Sequence, residues 1–360
     1  MHVEARAQGP GVVVGRSGAS IGRVHYSEID YWPHNTCLYV TDFLGNNPRF
    51  AYYLLQTLNL ALYNSGSAQP SLNRNLIYSI PLRVPPRDEQ DQIAAMLRAL
   101  DDRIALLRET NATLEAIAQA LFKSWFVDFD PVRAKQQGLA PAGMDEATAA
   151  WFPDSFEASG RGLIPKAWTE ASIYDIAHVI YGAPFASSKF NTKGIGRPLI
   201  RIRDLRDEAP GVYSAEVHPK GYLVKPGDIV VGMDGEFRAY LWGGEQAWLN
   251  QRVCVFAPNV DVPAAFLRHT IEPQLAHIEA TETATTVIHL CKGDIDRFVS
   301  LVPPEAVLSA YAEATGPHYA RIVVNKQTCR TLATLRDTLL PRLISGQLRL
   351  PEAEASVAQA

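Results

Sequence analysis

A run of basic side chains between residues 189 and 206 is the part of the sequence best suited to binding a charged partner. With Arg161 and Lys166, residues 161–206 hold eight Lys and Arg against three acidic residues, a local balance of +5. Such a patch neutralises phosphates, and arginine also pairs with guanine edges. A solvated surface with ordinary charges is an equally good interpretation. The candidate DNA contacts here are Lys189, Lys193, Arg197, Arg201, Arg203 and Arg206.

A second group of polar residues lies near the amino terminus, on turns predicted at one end of a small sheet. It comprises Arg16, Ser17, Asn73 and Arg74. Contact with DNA is one interpretation, and stabilisation of the turns is the simpler one. Arg238, beyond the basic stretch, is a further candidate for DNA contact.

Residues that could catalyse a reaction are few. The sequence has no glycine-rich phosphate loop and no dinucleotide signature. Its four cysteines form no CxxC, and Cys and His show no metal-ligand spacing, so we expect neither a metal nor a bound cofactor. Asp234 and Glu236 flank a glycine and could form an acid–base pair, but turns collect such residues for backbone reasons. We therefore predict a non-catalytic protein.

The functional residues need a rigid support, and residues 87–127 predict a long helix that could provide it. Two prolines precede this segment and two acidic residues open it, as suits a helix start. Apolar residues then recur in alternating steps of four and three, the heptad seam of a coiled coil. Asn111 is either a device that fixes the register or a tolerated polar residue. The predicted seam is Ile93, Leu97, Leu100, Ile104, Leu107, Asn111, Leu114 and Leu121.

The chain carries an internal repeat. Residues 71–86 align with residues 289–304, so that Val84 falls on Val302, an offset of 302 − 84 = 218. The repeat predicts a second long helix with seam residues Ile322, Leu332, Leu339 and Leu343. Gly316 and Pro317 should break or kink that helix. We therefore expect two copies of a strand-rich globule, each followed by a long helix.

The repeat also sets the predicted domain bounds. The segments are a first globule at 1–86, a helix at 87–127, a connector at 128–160, a second globule at 161–304, a helix at 305–346 and a loose tail at 347–360. The first globule begins about halfway along its counterpart, so we expect it to be truncated. Within it, residues 49–62 are predicted as a helix and residues 77–84 as the last strand. Residues 199–205 are predicted as a strand that presents Arg201 and Arg203 on one face.

Bulk composition limits the remaining possibilities. Hydrophobic residues make up 47% of the 360, enough for real cores, and no 18-residue apolar run or signal peptide is seen. We therefore expect a cytoplasmic protein. The net charge of −4 means that any basic surface must be local.

Several stretches, repeated in order, resemble the specificity subunits of type I restriction–modification systems. They read FKSWFVDF at 122–129, PLIRIRDL at 198–205, KPGDIVV at 225–231, NQRV at 250–253 and LPRLISG at 340–346. The resemblance implies an α+β protein with two mixed α/β target-recognition domains, the first one incomplete. It also implies that two long helices join them as an antiparallel coiled coil.

The same resemblance implies a function and partners. Each domain would recognise one half of a split site in double-stranded DNA, and the helices would set the gap between the halves. The helices would also hold two methyltransferase subunits, which bind S-adenosylmethionine, and a motor-nuclease subunit would join the complex. The specificity subunit itself would have no catalysis. The alternatives are a scaffold remnant that binds methyltransferase without selecting a site, and an independent enzyme.

Overall fold

The structure is a computed structural model that describes residues 4–66, 70–160, 162–281 and 288–358 of the chain. Its α-helices are α1 Pro48–Thr57, α2 Arg74–Ile77, α3 Arg87–Phe122, α4 Asp130–Gln136, α5 Glu146–Ala150, α6 Ile173–Ile176, α7 Ala264–Thr281, α8 Lys292–Ile295, α9 Glu305–Ile344 and α10 Leu350–Ala358. Its strands are β1 Gly11–Gly15, β2 Val24–Ser27, β3 Cys37–Tyr39, β4 Phe156–Ser159, β5 Gly162–Pro165, β6 Thr169–Ser172, β7 Ala177–Tyr181, β8 Phe190–Asn191, β9 Arg197–Ile200, β10 Tyr213–Ser214, β11 Leu223–Val224, β12 Ile229–Gly232, β13 Ala239–Leu241, β14 Ala247–Leu249, β15 Val253–Pro258 and β16 Val299–Val302. A π-helix, Lys123–Val127, directly continues α3, and 3-10 turns lie at Gly18–Ser20, Leu60–Tyr63, Ser187–Lys189 and Ile202–Asp204.

The chain folds as two compact units. The first unit contains the residues up to Leu106 and those from Thr328 onward, and the second contains Leu107–Gln327. Each long helix, α3 and α9, therefore contributes residues to both units. The mixture of helices and largely antiparallel sheets confirms the predicted α+β class.

A small antiparallel sheet forms the amino-terminal part of the first unit, in the order β2-β1-β3. Helix α1 begins where Asn47 accepts hydrogen bonds from the backbone N–H groups of Arg49 and Phe50, at 2.8 and 2.9 Å. Pro48 occupies the first helical position, where the absence of an N–H costs nothing. A cluster that includes Val14, Leu60 and Leu72 fills the space beside the sheet.

The helical core of the first unit is an antiparallel pairing of the start of α3 with the end of α9. Asp101 bonds Arg336 at 2.7 Å, and Ile104 O lies 3.7 Å from Cys329 Sγ. Later residues of α3 therefore contact earlier residues of α9, so the two helices run in opposite directions. The apolar seam of both helices packs against α1 and α10 in one buried cluster. Arg336, an unfavourable residue on a seam, is accommodated by that ion pair.

Three features of the first unit correct the sequence-based expectations. Residues 77–84 form no strand: Ile77 ends α2, and the described residues contain no strand that pairs with residues 78–84. The helix expected at residues 49–62 ends at Thr57. The expected loose tail contains α10, because Ala353 is completely buried and Leu350 and Val357 pack on the helical core.

The second unit contains two larger sheets and two two-stranded sheets. The first sheet has the order β13-β12-β15-β7 and is antiparallel throughout, and the second has the order β11-β14-β9-β10-β8. Strand β16 pairs with β6, and β4 pairs with β5. Strand β15 lies between two neighbours, and residues 253–256 have no solvent exposure. The inner strand is therefore almost entirely apolar, as expected for burial on both faces.

An aromatic cluster lies where α3 passes into its π-helix, within the second unit. Phe126 contacts Trp168, Phe266 and Tyr311 with ring centroids 5.0–5.9 Å apart. Trp125 and Phe126 are both buried. This placement favours the interpretation of these aromatics as core over a partner-binding surface.

In the second unit, the remainder of α3 packs antiparallel to the first part of α9. Tyr311 donates to Ala118 O at 3.0 Å, and Asn325 donates to Asn111 at 2.8 Å. Helix α9 continues without a break through Gly316 and Pro317, contrary to the predicted break. Proline costs a helix about 3 kcal/mol, and the complete burial of Tyr311 and Ile322 on either side of it offsets that cost.

The two copies of the repeat share backbone hydrogen bonds as well as sequence. Leu72 N bonds Arg16 O at 2.7 Å, and its counterpart Leu290 N bonds Met233 O at 2.8 Å. Isolated bridges join Ser17 to Ser71 and Asp234 to His289. Sheet order β2-β1-β3 therefore corresponds to β13-β12-β15.

Candidate nucleic-acid interface

The basic segment of the second unit contains a loop whose backbone is fixed by one asparagine. Asn191 Nδ2 donates to Ile195 O at 2.8 Å and to Tyr213 O at 3.1 Å, while its Oδ1 accepts from Lys193 N at 3.1 Å and Ile195 N at 3.0 Å. Gly196 has φ +89°, and a Cβ there would lie 2.2 Å from Ser214 O. The loop therefore presents Lys193 from an ordered backbone.

Arg201 is held by its own chain. Its Nε and Nη2 donate to the two carboxylate oxygens of Asp204 at 2.9 and 3.0 Å, and the hydrogen bond to Asp204 raises the pKa of the guanidinium. Strand β9 ends at Ile200 and a 3-10 turn follows, so the prediction that Arg201 and Arg203 share a strand face is wrong. The Asp204 carboxylate causes this change, because it also accepts from Arg201 N at 3.0 Å and closes the turn.

Two other candidates form ion pairs at the surface. Lys189 lies 3.1 Å from Glu216, whose pKa is lowered by hydrogen bonds from Ala186 N and from Lys189. Arg238 lies 2.7 Å from Glu279, and that hydrogen bond raises the pKa of Arg238. Because Lys189 and Arg238 are 58% and 50% exposed, solvent screens both ion pairs and weakens them. Both cations could therefore exchange their partner for a phosphate.

The remaining four candidates of the second unit are exposed, and none of them has an ion pair with the described residues. They are Lys193, Arg197, Arg203 and Arg206. Arg206 and Arg238 line one side of a groove of about 620 Å³ that also contains Glu236, Tyr240 and Glu272. Arg161, counted in the basic balance, lies outside the described residues.

In the first unit, the structure brings three of the four candidates together. Arg16, Asn73 and Arg74 line a polar groove of about 490 Å³ with Ser65 and Ser71. Asn73 caps α2 by accepting from Asn75 N at 3.0 Å, which is the turn-stabilising role. Ser17 forms the bridge to Ser71 and does not line the groove. Arg16, Asn73 and Arg74 are all exposed, so the two arginines are the charged residues of this group available to an anionic ligand.

The possible acid–base pair is divided between two environments. Asp234 bonds His289 Nδ1 at 2.6 Å and lies 3.5 Å from Arg252, so its carboxylate is engaged by these two side chains. Glu236 is exposed on the groove beside Arg238. Within the described ranges, no group of three or more His, Cys, Asp and Glu could hold a metal ion.

The seam residues lie in the interior of the helix pair of each unit. In the first unit Ile93, Leu97, Leu100, Ile104, Leu339 and Leu343 are buried and Leu332 is partly buried. In the second unit Leu107, Asn111 and Ile322 are buried, and Leu114 and Leu121 are partly buried.

Sequence reasoning missed Asn325, the partner of Asn111. It lies seven residues before Leu332, so continuing the heptad seam would have found it. The repeat offset concealed it, because an antiparallel pair brings together residues that are not repeat equivalents. Sequence reasoning also missed Lys326, which bonds Glu208 and donates to Leu241 O at 2.7 Å.

These features define a duplicated α+β protein in which each copy ends in a long helix. The model for the type I restriction modification DNA specificity domain matches residues 5–116 and 165–304. The chain therefore belongs to this family, and the resemblance seen in the sequence is confirmed.

Individual relatives agree with this assignment. The chain is 35% identical over 196 residues to the type I restriction enzyme EcoBI specificity subunit of Escherichia coli, covering 53% of this chain and 41% of that protein. It is 24% identical over 356 residues to the HindI specificity subunit of Haemophilus influenzae, covering 84% and 77%. The fold is similar to that of the type I restriction–modification S subunit from M. genitalium, with a TM-score of 0.54 at 15% identity over 94% of this chain and 84% of that one. Among the described residues, no helix is both long and apolar enough to span a membrane.

Proposed function

We propose that this chain is the DNA-recognition subunit of a type I restriction–modification complex, and that its second unit contacts duplex DNA. The observation that carries the proposal is the set of four exposed cations without ion pairs to described residues, Lys193, Arg197, Arg203 and Arg206. They follow one another along a segment whose loop is fixed by Asn191. An ordered, uncompensated row of cations suits the phosphate backbone of DNA.

The cations differ in the role that we assign to them. Lys193 is a compact charge on a loop and suits a phosphate, while Arg203 and Arg206 have the planar donors that can also bond guanine O6 and N7. Lys189 and Arg238 would join after exchanging their surface carboxylates. Arg201 is assigned to the support, because its donors are directed at Asp204.

We further propose that the paired long helices hold two methyltransferase subunits and, through them, the motor-nuclease subunit. Support comes from the buried seam in each unit, which gives the helices a rigid form. Two DNA-reading domains on a duplex must be held at a fixed spacing, which a rigid rod can do. S-adenosylmethionine would then belong to the methyltransferase partner and not to this chain.

A second candidate function is a scaffold that holds methyltransferase without selecting a DNA site. The observation that favours it is that, among the described residues, the sheet of the first unit has three strands and its β3 is partly exposed. In that case only the helices would matter for activity.

The test uses the chain co-purified with its methyltransferase and a fluorescent duplex that carries a methylated site of the complex. We expect the double substitution Arg203→Ala and Arg206→Ala to weaken binding. We also expect the slope of log affinity against log salt to become shallower by about 1.8, since each phosphate contact contributes about 0.9.

The matched control removes two exposed arginines from the helices of the same unit, Arg108→Ala and Arg321→Ala. This control should retain the parental salt slope. If the Arg203 and Arg206 variant binds the duplex like the parent, the proposed surface is wrong. If both variants retain methyltransferase but neither they nor the parent methylates a site, the scaffold function is the better description.

A further inference from the structure

Three loops of the second unit meet at the end where strands β9, β12 and β14 finish. Strand β12 ends at Gly232, and a Cβ on that residue would lie 3.2 Å from Leu205 Cδ1, so the turn after β9 lies against it. The loop between β14 and β15 joins the same end, because Asn250 N donates to Ile200 O at 3.3 Å. The turn after β9 carries two of the four exposed cations that we assign to DNA. Side chains on the other two loops would therefore lie beside a bound duplex.

Arg252 lies in the loop between β14 and β15, in a backbone conformation that arginine rarely adopts. Its φ is +69°, in the left-handed region that favours glycine. Two backbone hydrogen bonds hold the loop, from Met233 N to Arg252 O at 2.9 Å and from Val253 N to Asn250 O at 3.3 Å. The chain thus keeps an arginine where glycine would fit with less strain, and such residues concentrate at functional sites. The Arg252 side chain is therefore a candidate for contact with a ligand.

The Arg252 guanidinium is exposed and has one loosely held partner. Its side chain is 59% exposed, and Nη1 lies 3.5 Å from Asp234 Oδ1. Its Nε and Nη2 bond no described residue. The preceding residue, Gln251, is exposed as well, and its side-chain amide bonds none of the residues that the structure describes. Two planar polar groups on one loop are therefore available to a ligand.

The neighbouring carboxylate makes Arg252 better suited to a base than to a phosphate. Asp234 offsets the charge of Arg252, and it is held in place because it also bonds His289 Nδ1 at 2.6 Å. Phosphates are attracted most strongly by cations that no carboxylate compensates. The major-groove edge of guanine is uncharged and accepts from two parallel donors, which a guanidinium beside a carboxylate still offers. Arg252 therefore differs in role from the cations without ion pairs.

The first copy of the repeat also places an arginine at this pair of backbone positions. Arg16 N donates to Thr36 O at 2.9 Å, as Met233 N donates to Arg252 O, so Arg16 corresponds to Met233 and Thr36 to Arg252. The arginine follows β1 in the first copy, whereas in the second it precedes β15. Arg16 is exposed like Arg252. Each copy thus presents a guanidinium at the same end of its sheet, but from a different strand, as suits two different DNA targets.

We propose that Arg252 is a specificity-determining residue, which recognises a guanine through O6 and N7 in the major groove. The proposal rests on the proposed function, because Arg203 and Arg206 must hold the DNA backbone beside this loop. Gln251 is assigned to the adjacent base pair, where its amide can bond N6 and N7 of adenine. Asp234 is a positioning residue, since it acts on DNA only by orienting Arg252.

The experiment uses the chain co-purified with its methyltransferase and a set of fluorescent duplexes. One duplex carries a methylated site of the complex, and each of the others changes one base pair of that site. The parent should bind at least one duplex that lacks a guanine about 5- to 150-fold more weakly, which is the discrimination of one bidentate contact. Arg252→Gly suits the left-handed backbone and removes the guanidinium, so it should bind that duplex and the unchanged one within about twofold of each other.

Arg252→Lys separates charge from base recognition. Lysine keeps the positive charge but has no planar pair of donors. This variant should therefore lose the same guanine preference while it keeps the parental slope of log affinity against log salt.

Three further variants locate the effect. Arg197→Ala, which removes a proposed phosphate contact, should weaken all duplexes alike and make the salt slope shallower by about 0.9. Gln251→Ala should relax the preference at an adjacent base pair. Asp234→Asn should reduce the guanine preference only in part, and a residue that merely stabilised the loop would leave base preference unchanged.

Two results would overturn the proposal while the proposed function stands. One is an Arg252→Gly variant with the base preferences of the parent at every position. The other is an Arg252→Gly variant that binds all duplexes more weakly by the same factor and has a shallower salt slope, because Arg252 would then contact a phosphate. If the variant with Arg203→Ala and Arg206→Ala binds like the parent, the DNA surface itself is wrong and this proposal is rejected with it.

Discussion

The buried amide pair between the long helices of the second unit offers a sharp test of how the helix register is fixed. Asn325 Nδ2 donates to Asn111 Oδ1 at 2.8 Å, and Asn111 Nδ2 donates weakly to Ile322 O at 3.4 Å. The two side chains are only 3% and 9% exposed, so water cannot replace a lost partner. The prediction is a strong energetic coupling between the two asparagines.

The expected magnitudes follow from this geometry. Asn111→Leu leaves the Asn325 amide buried without its acceptor, which costs about 1–3 kcal/mol. Asn325→Leu leaves Asn111 Oδ1 unpaired and should cost a similar amount. The double substitution removes both polar groups and adds apolar contact, so it should be close to neutral or stabilising. The double-mutant cycle should therefore deviate from additivity by the sum of the two single costs, about 2–6 kcal/mol.

Equilibrium urea unfolding, followed by the helical circular dichroism signal, measures the three free-energy changes. Because the chain has two units, its unfolding curve should be fitted with a separate transition for each unit. The free energies are then taken from the transition that responds to both single substitutions. If the single costs simply add in the double variant, the two amides are not coupled and the explanation fails. A double variant that is stable but no longer retains methyltransferase would show that the pair selects register more than it adds stability.

Two other substitutions test the core and the charges of the second unit. Leu107→Asp buries a carboxylate in the helix seam and should destabilise the chain by at least about 3 kcal/mol in urea unfolding. The control is Leu106→Asp at the neighbouring exposed position, which should cost under about 0.5 kcal/mol. Burial raises the pKa of Glu272, but hydrogen bonding to His269 and the charge of Arg268 outweigh it and lower the pKa overall. The ionised carboxylate therefore stabilises the folded state above the unfolded pKa of about 4.3, and this stability is lost as the pH falls through the lower folded value. Glu272→Gln should lower the stability of the chain at pH 7 and make the loss of stability below about pH 4.3 smaller, as measured by thermal unfolding at a series of pH values. If the variant loses stability in acid as much as the parent does, this assignment is wrong.

Features that depend on local periodicity could be predicted from the sequence. The heptad steps from Ile93 onward indicate a helix without any knowledge of its partner, and the structure has a helix from Arg87 to Phe122. The type and approximate position of a long, strongly periodic element can be predicted from its local sequence, because its pattern of apolar residues does not depend on knowing its neighbours in the fold.

Features that depend on a distant partner could not be predicted in this way. Residues 81–84 and β16 are aligned in the repeat, yet only β16 is a strand, because β6 is there to pair with it. The tail was expected to be loose, yet it forms α10, because the first unit offers an apolar surface to Leu350 and Val357. Strand formation and docking are decided by neighbours that no local window contains.

The candidate DNA contacts show the same limit for charge. A count of residues 161–206 treats every arginine alike, but Arg201 directs its Nε and Nη2 at Asp204, three positions later in the sequence. The i to i+3 spacing of those residues was visible, although only a turn, and not the strand we predicted, brings them together. Local charge balance therefore overestimates the cations available to DNA. Lys193, Arg197, Arg203 and Arg206, which have no ion pair with described residues, should therefore contribute more to the salt dependence of the second unit than Arg201 does.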